Sequence, residues 1–463
     1  MNRENYYNYK DVALGWHRFY GGKIEILPKC IIRDANDFSI WYTPGVAETS
    51  IEIRNNPDKV YELTNKWNTV AIISDGSRTL GLGNTGPLSV LPVLEGKSLL
   101  FKYLGGVDAF PIVLSEQDPN RIVEIIKSIS PSFGGINLED ISTPKCFYIL
   151  NRLKNELDIP VWHDDQLGTA TATLAALFNA LEIVGKDISD TKFAIIGAGA
   201  ANIATINLLS YAGANPKNMY VVDSKGILHP NRKDLENKKD YNPYKWRLCL
   251  ETNGERRIGG IAEAIVKTDV IIAASRPGPG IIKKEWIENM NSEPIVFALA
   301  NPIPEIWPWE AKEAGARIVG TGRSDFPNQI NNSLVFPSIF RGVFSVGARI
   351  INEDLCITAA KTLANFVKKK GLKDEYIIPR MADFDVYYDV SLAVALKAME
   401  LGIARRRISE EELCAEIRKL IHGAKEKIRT LIDHGLIRFP PEGGRCEDST
   451  LRWNGKFGKR FSN

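Results

Sequence analysis

Between residues 69 and 165 the apolar positions follow two alternating periods. TVAIISDG (69–76) is an apolar, β-branched run that stops at a glycine-rich turn, LGLGNTG (80–86). A helical stretch near 96–104 precedes DAFPIVL (108–114), which has strand character. NRIVEIIKSI (120–129) has helical apolar spacing, and GGINLED (134–140) reads as the next strand. CFYILNRLKNEL (146–157) repeats the amphipathic helix pattern before a short strand, IPVWHDD (159–165). Strand, helix, strand at this spacing predicts a parallel crossover unit.

The run LGTATATLAALFNALEIV (167–184) predicts a buried helix bridging two domains. A second alternating block follows: KFAIIG (192–197), a helix near 200–212, MYVVD (219–223), DVIIAAS (269–275), PIVFALANP (294–302) and ARIVGTG (316–322). This is the beat of a doubly wound sheet. A charged segment near 231–247 reads as a surface excursion, and residues 351–432 read as mostly helical. The fold expected is α/β: an N-terminal α/β catalytic and metal-binding domain (1–166), a Rossmann-type dinucleotide-binding domain (167–350), a helical C-terminal region (351–437) and a tail extension (438–463).

Composition narrows the class. A length of 463 residues suits two or three domains, and 44% hydrophobic with 25% charged residues is ordinary for a globular chain. The net charge of +3 makes no electrostatic case for nucleic acid. No signal pattern opens the chain and no apolar run reads as a membrane span of about 18 residues, so a cytoplasmic enzyme without membrane partners is expected. The basic-aromatic tail fits a solvated or subunit-packing extension. The six cysteines are scattered and the five histidines do not cluster, so carboxylates become the candidate metal ligands.

Gly197-Ala198-Gly199-Ala200-Ala201-Asn202 follows a predicted strand and opens a helix. Its glycines permit a tight turn and close approach to a pyrophosphate at a helix N-terminus. Asn202 stands at the third fingerprint position, and Asp223 ends the next strand where an acid would meet a ribose hydroxyl. Asp223 leans toward NAD, whereas Ser224 and Lys225 would suit the 2′-phosphate of NADP. Glu139 and Asp140 end one predicted strand, and Asp164 and Asp165 end the next. Parallel strand ends share a crevice, and clustered carboxylates repel unless a cation such as Mg²⁺ or Mn²⁺ neutralises them. Helix caps and solvated acids are the competing reading of the same four residues.

Together the stretches WYTPGVAE (41–48), LGLGNTG (80–86), EGKSLLFK (95–102), FGGINLEDI (133–141), HDDQLGTA (163–170), GAGAAN (197–202), ALANP (298–302) and TGRSDFPNQINN (321–332) make the chain resemble the malic enzymes of the shorter bacterial and archaeal type. The resemblance spans roughly residues 16–360 and implies NAD(P)-linked oxidative decarboxylation of malate to pyruvate and CO₂. It implies Glu139, Asp140 and Asp165 as metal ligands with Asp164 behind them, Lys97 as catalytic base and Tyr42 as catalytic acid. Taken alone, Lys97 would read as a solvated helix residue and Tyr42 as a packing aromatic.

By the same resemblance Arg78, Asn301 and Asn332 would contact substrate, and Asn301 also the nicotinamide ribose. Two departures stand out: Arg78, which shorter members often lack, and Leu167, where a histidine is common. No phosphotransacetylase-like extension is matched, and regulation through one is not expected. A homodimer or higher homo-oligomer is expected. Three other functions use parts of the same set: malolactic decarboxylation to lactate, oxidation of another 2-hydroxy dicarboxylate such as tartrate, and nucleotide binding by a regulator without catalysis.

Overall fold

All six residues of strand β1 (Thr69–Ser74) are buried, as a run of Val, Ala and Ile flanked by small polar groups requires when both sheet faces are covered. The computed structural model describes residues 3–440. Around β1 stand β2 (Asp108–Val113), β3 (Gly135–Leu138) and β4 (Val161–His163), all parallel, in the order β2-β1-β3-β4. The crossover helices are Pro87–Gly105, Pro119–Ile129 and Lys145–Glu156. The first begins nine residues earlier than its apolar pattern predicts, because Pro87 occupies a first-turn position where a missing N–H costs nothing. Asp118 caps the second helix, its side chain accepting from the N–H of Arg121 at 3.0 Å.

A second sheet holds β5 (Phe193–Ile196), β6 (Met219–Asp223), β7 (Gly226–Ile227), β8 (Val270–Ala273), β9 (Ile295–Ala298) and β10 (Ile318–Thr321), ordered β10-β9-β8-β5-β6-β7. Only the short β7 runs antiparallel. The strand order reverses at β5, between β6 and β8, which opens a crevice at the carboxyl ends of the strands. The fold is therefore the expected α/β arrangement, a parallel N-terminal sheet, a Rossmann-like sheet and C-terminal helices.

Helix Thr169–Val184 lies between the two layers, with the whole run Ala170–Leu177 buried. It packs against helices Ala200–Tyr211 and Glu353–Lys370. This segment corrects one expectation. Residues Asp164–Val184 are long and apolar enough to cross a membrane, but 67% of the apolar window is buried inside the protein, as befits a core helix. The other C-terminal helices are Asp385–Glu400 and Glu410–Asp433.

The charged stretch 231–247 is also more than a surface excursion: it forms short helices Lys233–Glu236 and Pro243–Glu251, and its Arg232 and Lys245 reach back to Asp223. By contacts the described residues divide into 28–424, which carry both sheets, and a second unit that takes in 3–27 and 425–440. In the second unit the Tyr20 hydroxyl donates to the Arg438 carbonyl at 2.7 Å. From residue 441 on, the expected tail extension lies outside the described residues.

Candidate active site

Leu138 and His163 are register partners across β3 and β4, so the acidic pairs that follow each strand open into one crevice. Strand alternation would turn adjacent side chains apart. The chain escapes this at Asp140, whose φ of 53° takes it out of strand geometry. After β4 the backbone makes a π-type turn over Asp164–Gly168, a widening often found at functional sites.

Lys97 comes from helix Pro87–Gly105 and is only 7% exposed. Its ammonium pairs with Asp164 and, at 2.8 Å, with Glu139, and lies 4.4 Å above the Phe336 ring. Asp164 is fixed from its other side by the Trp162 indole N–H at 2.9 Å. Asp165 accepts from the Asp140 N–H at 2.8 Å, and its side chain keeps 35% of its exposure, so it faces the opening.

The electrostatics of this cluster are those of crowded, desolvated carboxylates. Burial pushes Glu139 well above the usual carboxyl range against the pull of Lys97, with Asp165 and Asp164 adding to the rise. Asp140 is pushed up to about 7, by burial first and then by Asp165. Burial acts on Lys97 in the opposite sense, but Asp164, Glu139 and Asp165 outweigh it and hold the ammonium above its ordinary value. Desolvation pushes His163 down to about 3, so it is neutral.

This donor set fits a hard divalent cation, since it offers carboxylate oxygens only. Asp140 Oδ2 is buried and has no hydrogen-bond partner, which leaves an acceptor free for a cation. Among the described residues no three such side chains already stand at ligating geometry. The reason is visible: Glu139 turns to Lys97, Asp165 to the Asp140 N–H, and Asp140 Oδ1 to the Leu80 N–H at 3.0 Å.

The loop after β1 closes over this cluster. The Arg78 N–H donates to the Asp140 carbonyl at 2.9 Å, and the Arg78 side chain is exposed at the rim, near enough to draw the Asp140 and Asp165 carboxyls down. Asp75, buried at the root of the loop, pairs with Lys145 and accepts from the Ser77 N–H at 3.0 Å and hydroxyl at 2.6 Å. The sequence reading passed over Asp75 and Lys145, which lie 70 residues apart and form a pair only once the sheet is assembled.

At the second crevice Gly197 follows β5 with φ +104°, where an L side chain would be strained and its Cβ would meet the Ala274 carbonyl at 2.6 Å. Gly199 then opens helix Ala200–Tyr211, with Ala200 and Ala201 in its first turn. Asn202 is buried, and its amide donates at 2.9 Å to the carbonyls of both Ile196 and Gly197, so it braces the turn from within. Asp223 is occupied on both oxygens: Arg232 donates at 3.0 and 3.1 Å, the Lys225 N–H at 2.9 Å, and Lys245 pairs at 2.5 Å. Its charge is thus compensated, which weakens its bias against a 2′-phosphate.

The two crevices adjoin. Gly81 of the glycine-rich loop packs on Pro277 and the backbone of Asn301, leaving no room for a side chain. Gly168 likewise packs on Asp164 and Asn332. Lys97, the four acidic residues, Asn301 and Asn332 are therefore gathered along one cleft. Tyr42 is not. It ends the short helix Asp37–Trp41 at the surface, 70% exposed, amid the similarly exposed Ile31, Phe38, Ile40 and Trp41.

The family model described as "Malic enzyme, N-terminal domain" matches residues 21–154, and "Malic enzyme, NAD binding domain" matches residues 167–403. The chain belongs to the malic enzyme family. It is 47% identical over 411 residues to the bifunctional malic/malolactic enzyme of Bacillus subtilis, covering 89% of this chain and 98% of that one. It is 48% identical to the NAD-dependent malic enzyme of Geobacillus stearothermophilus, covering 83% and 78%. The crystal structure of malic enzyme from Pyrococcus horikoshii superposes with a TM-score of 0.85 at 52% identity, over 89% of this chain and 95% of that chain. The chain is thus an NAD(P)-dependent malic enzyme.

Proposed function

We propose that this malic enzyme converts malate to pyruvate and CO₂ at the cleft built by Lys97, Glu139, Asp140, Asp164 and Asp165, while reducing NAD(P). The observation that carries the residue assignment is the buried lysine set among four carboxylates, one of which keeps an unpartnered oxygen. On this reading residues before 167 supply catalysis and metal binding, and residues 167–350 hold the dinucleotide. A divalent cation, Mg²⁺ or Mn²⁺, held by Glu139, Asp140 and Asp165 would place positive charge at the C2 oxygen of malate and cancel the field that keeps Lys97 protonated.

Neutral Lys97 takes the C2 hydroxyl proton as C2 loses its hydride to the nicotinamide. Asp164, braced by Trp162, holds the lysine in place. The resulting β-keto acid loses CO₂ from C4, and the electron pair left behind makes the enolate of pyruvate. Tyr42 protonates C3 and recovers its proton from Lys97, so the cycle takes up and releases no net proton. Arg78 at the rim grips a malate carboxylate, and Asn301 and Asn332 orient substrate and nicotinamide ribose. Gly197, Gly199, Ala200 and Ala201 receive the pyrophosphate at the helix N-terminus, with Asn202 bracing the turn and Asp223 at the adenosine ribose.

Tyr42 reaches this role in a homodimer. The exposed apolar strip that carries it covers a second copy of the chain, so that each cleft receives the tyrosine of the partner. A malolactic reading is favoured by one specific relative, the bifunctional enzyme of Bacillus subtilis. Incubation with malate, NAD(P) and Mn²⁺ separates the two: pyruvate and NAD(P)H in equal amounts are expected. Lactate without net NAD(P)H would overturn the assignment.

A further inference from the structure

The loops that follow β8 and β9 are tied together by a carboxylate with no access to solvent. Glu305 is 0% exposed. One of its oxygens accepts from the Ser275 N–H at 2.8 Å and the Ser275 hydroxyl at 3.0 Å; the other accepts from the Ala300 N–H at 3.1 Å. The backbone repeats the link, with the Gly278 N–H donating to the Ile303 carbonyl and the Ile282 N–H to that of Glu305, each at 3.2 Å.

These loops form one wall of the dinucleotide crevice. Ser275 backs onto Gly197, where an added Cβ would stand 3.3 Å from the Ser275 Cα. On the other side Pro277 and Asn301 pack on Gly81 of the loop that closes over the acidic cluster. A buried charge is an expensive way to join two loops if stability alone is at stake. A carboxylate, however, is acceptor-only on both oxygens and can satisfy donors from two strands at once.

We infer that Glu305 is a positioning residue for the dinucleotide: it brackets Ser275 to Ala300 and so sets the wall on which Asn301 meets the nicotinamide ribose. The inference rests on the reading of this crevice as the dinucleotide site. Glutamine is nearly isosteric but keeps one acceptor oxygen, and its NH₂ faces N–H donors, so one loop is released.

The test measures NADH and NADPH binding by fluorescence titration in Glu305→Gln, with melting temperature and steady-state kinetics alongside. The control is Asp269→Asn at the opposite end of the same sheet. Asp269 accepts from the Lys192 N–H at 2.8 Å and the Asn291 amide at 2.9 Å and pairs with Lys186 at 2.8 Å. Both variants lose buried hydrogen bonds and melt earlier. Glu305→Gln is expected to weaken dinucleotide binding about tenfold, the effect of one lost charge-assisted bond. Asp269→Asn leaves dinucleotide affinity unchanged.

Unchanged affinity in Glu305→Gln, or equal weakening in Asp269→Asn, would overturn the inference. If Glu305→Gln does not fold, Ser275→Ala, which removes one of the three donors, decides it: weaker binding of the same sign supports the bracket, and wild-type affinity overturns it. Wild-type protein that binds dinucleotide but does not oxidise malate would refute the proposed function and leave this comparison intact.

Discussion

Replacing Lys97 with methionine removes the ammonium from between Glu139 and Asp164 and keeps a side chain of similar length. At 2.8 Å from Glu139, the direct attraction is worth about 6 kcal/mol at an effective dielectric of ~20. Desolvation offsets much of it, and the net cost of removing one partner from a buried pair is about 3–5 kcal/mol. Such a loss lowers the melting temperature by about 3–5 °C in a chain of this length.

The loss also depends on pH. Glu139 is already pushed well above its ordinary value of 4.5, and without Lys97 it rises further. A carboxyl raised on folding binds more protons folded than unfolded, so stability falls as pH climbs from the unfolded value toward the folded one. Both proteins lose this stability together up to the folded value of Glu139 in wild type, so the deficit of Lys97→Met is expected to widen, by calorimetry, as pH rises past that value. Mn²⁺ at ~100 times its Kd should restore about 2.7 kcal/mol in either protein. Turnover of malate should fall about 10²–10⁴-fold, the range for a lost general base. A melting deficit that narrows as pH rises, or turnover within tenfold of wild type, would refute the placement of Lys97 as the buried base.

Three further outcomes are expected. Asp140, pushed up to about 7 from 3.8, makes chelator-treated wild type lose stability between those pH values, and Mn²⁺ should raise the melting temperature more at pH 8 than at pH 5; equal shifts would count against a cation on Asp140. Arg78→Ala should raise malate KM about tenfold or more through loss of a charge-assisted bond, with dinucleotide KM nearly unchanged; unaltered malate KM would return Arg78 to an ordinary surface arginine. Tyr42→Phe and Lys97→Met should each be nearly inactive alone and regain part of the activity when mixed and allowed to exchange subunits. No recovery would mean that each cleft is completed within one chain.

Most of the sheet architecture was legible in the sequence because parallel, doubly covered strands are short apolar runs, and each run from TVAIIS to RIVGT forms a strand. The convergence of Glu139 with Asp164 was legible too, since both follow neighbouring parallel strands. What escaped was whatever depends on the third dimension. Lys97 reads as solvated by helix position, yet Asp164 and Glu139 draw it into the interior. Glu305 sits among prolines in NPIPE and reads as a loop acid, until two separate strand ends deliver three donors to it. Arg232 and Lys245 look like part of a charged surface run, but they close on Asp223 when helix Pro243–Glu251 folds back. Tyr42 carries no sequence signal that it would stand outside its own cleft.

On the proposed assignment Glu139, Asp140 and Asp165 hold the catalytic cation apart from the dinucleotide turn. Titration of Mn²⁺ by electron paramagnetic resonance, in wild type and in Asp165→Asn with NADH binding followed in parallel, decides this. One Mn²⁺ per chain is expected in wild type, and in Asp165→Asn a loss of Mn²⁺ affinity of at least about tenfold with NADH affinity preserved. Wild-type Mn²⁺ affinity in Asp165→Asn, or an equal loss of NADH affinity, would contradict it.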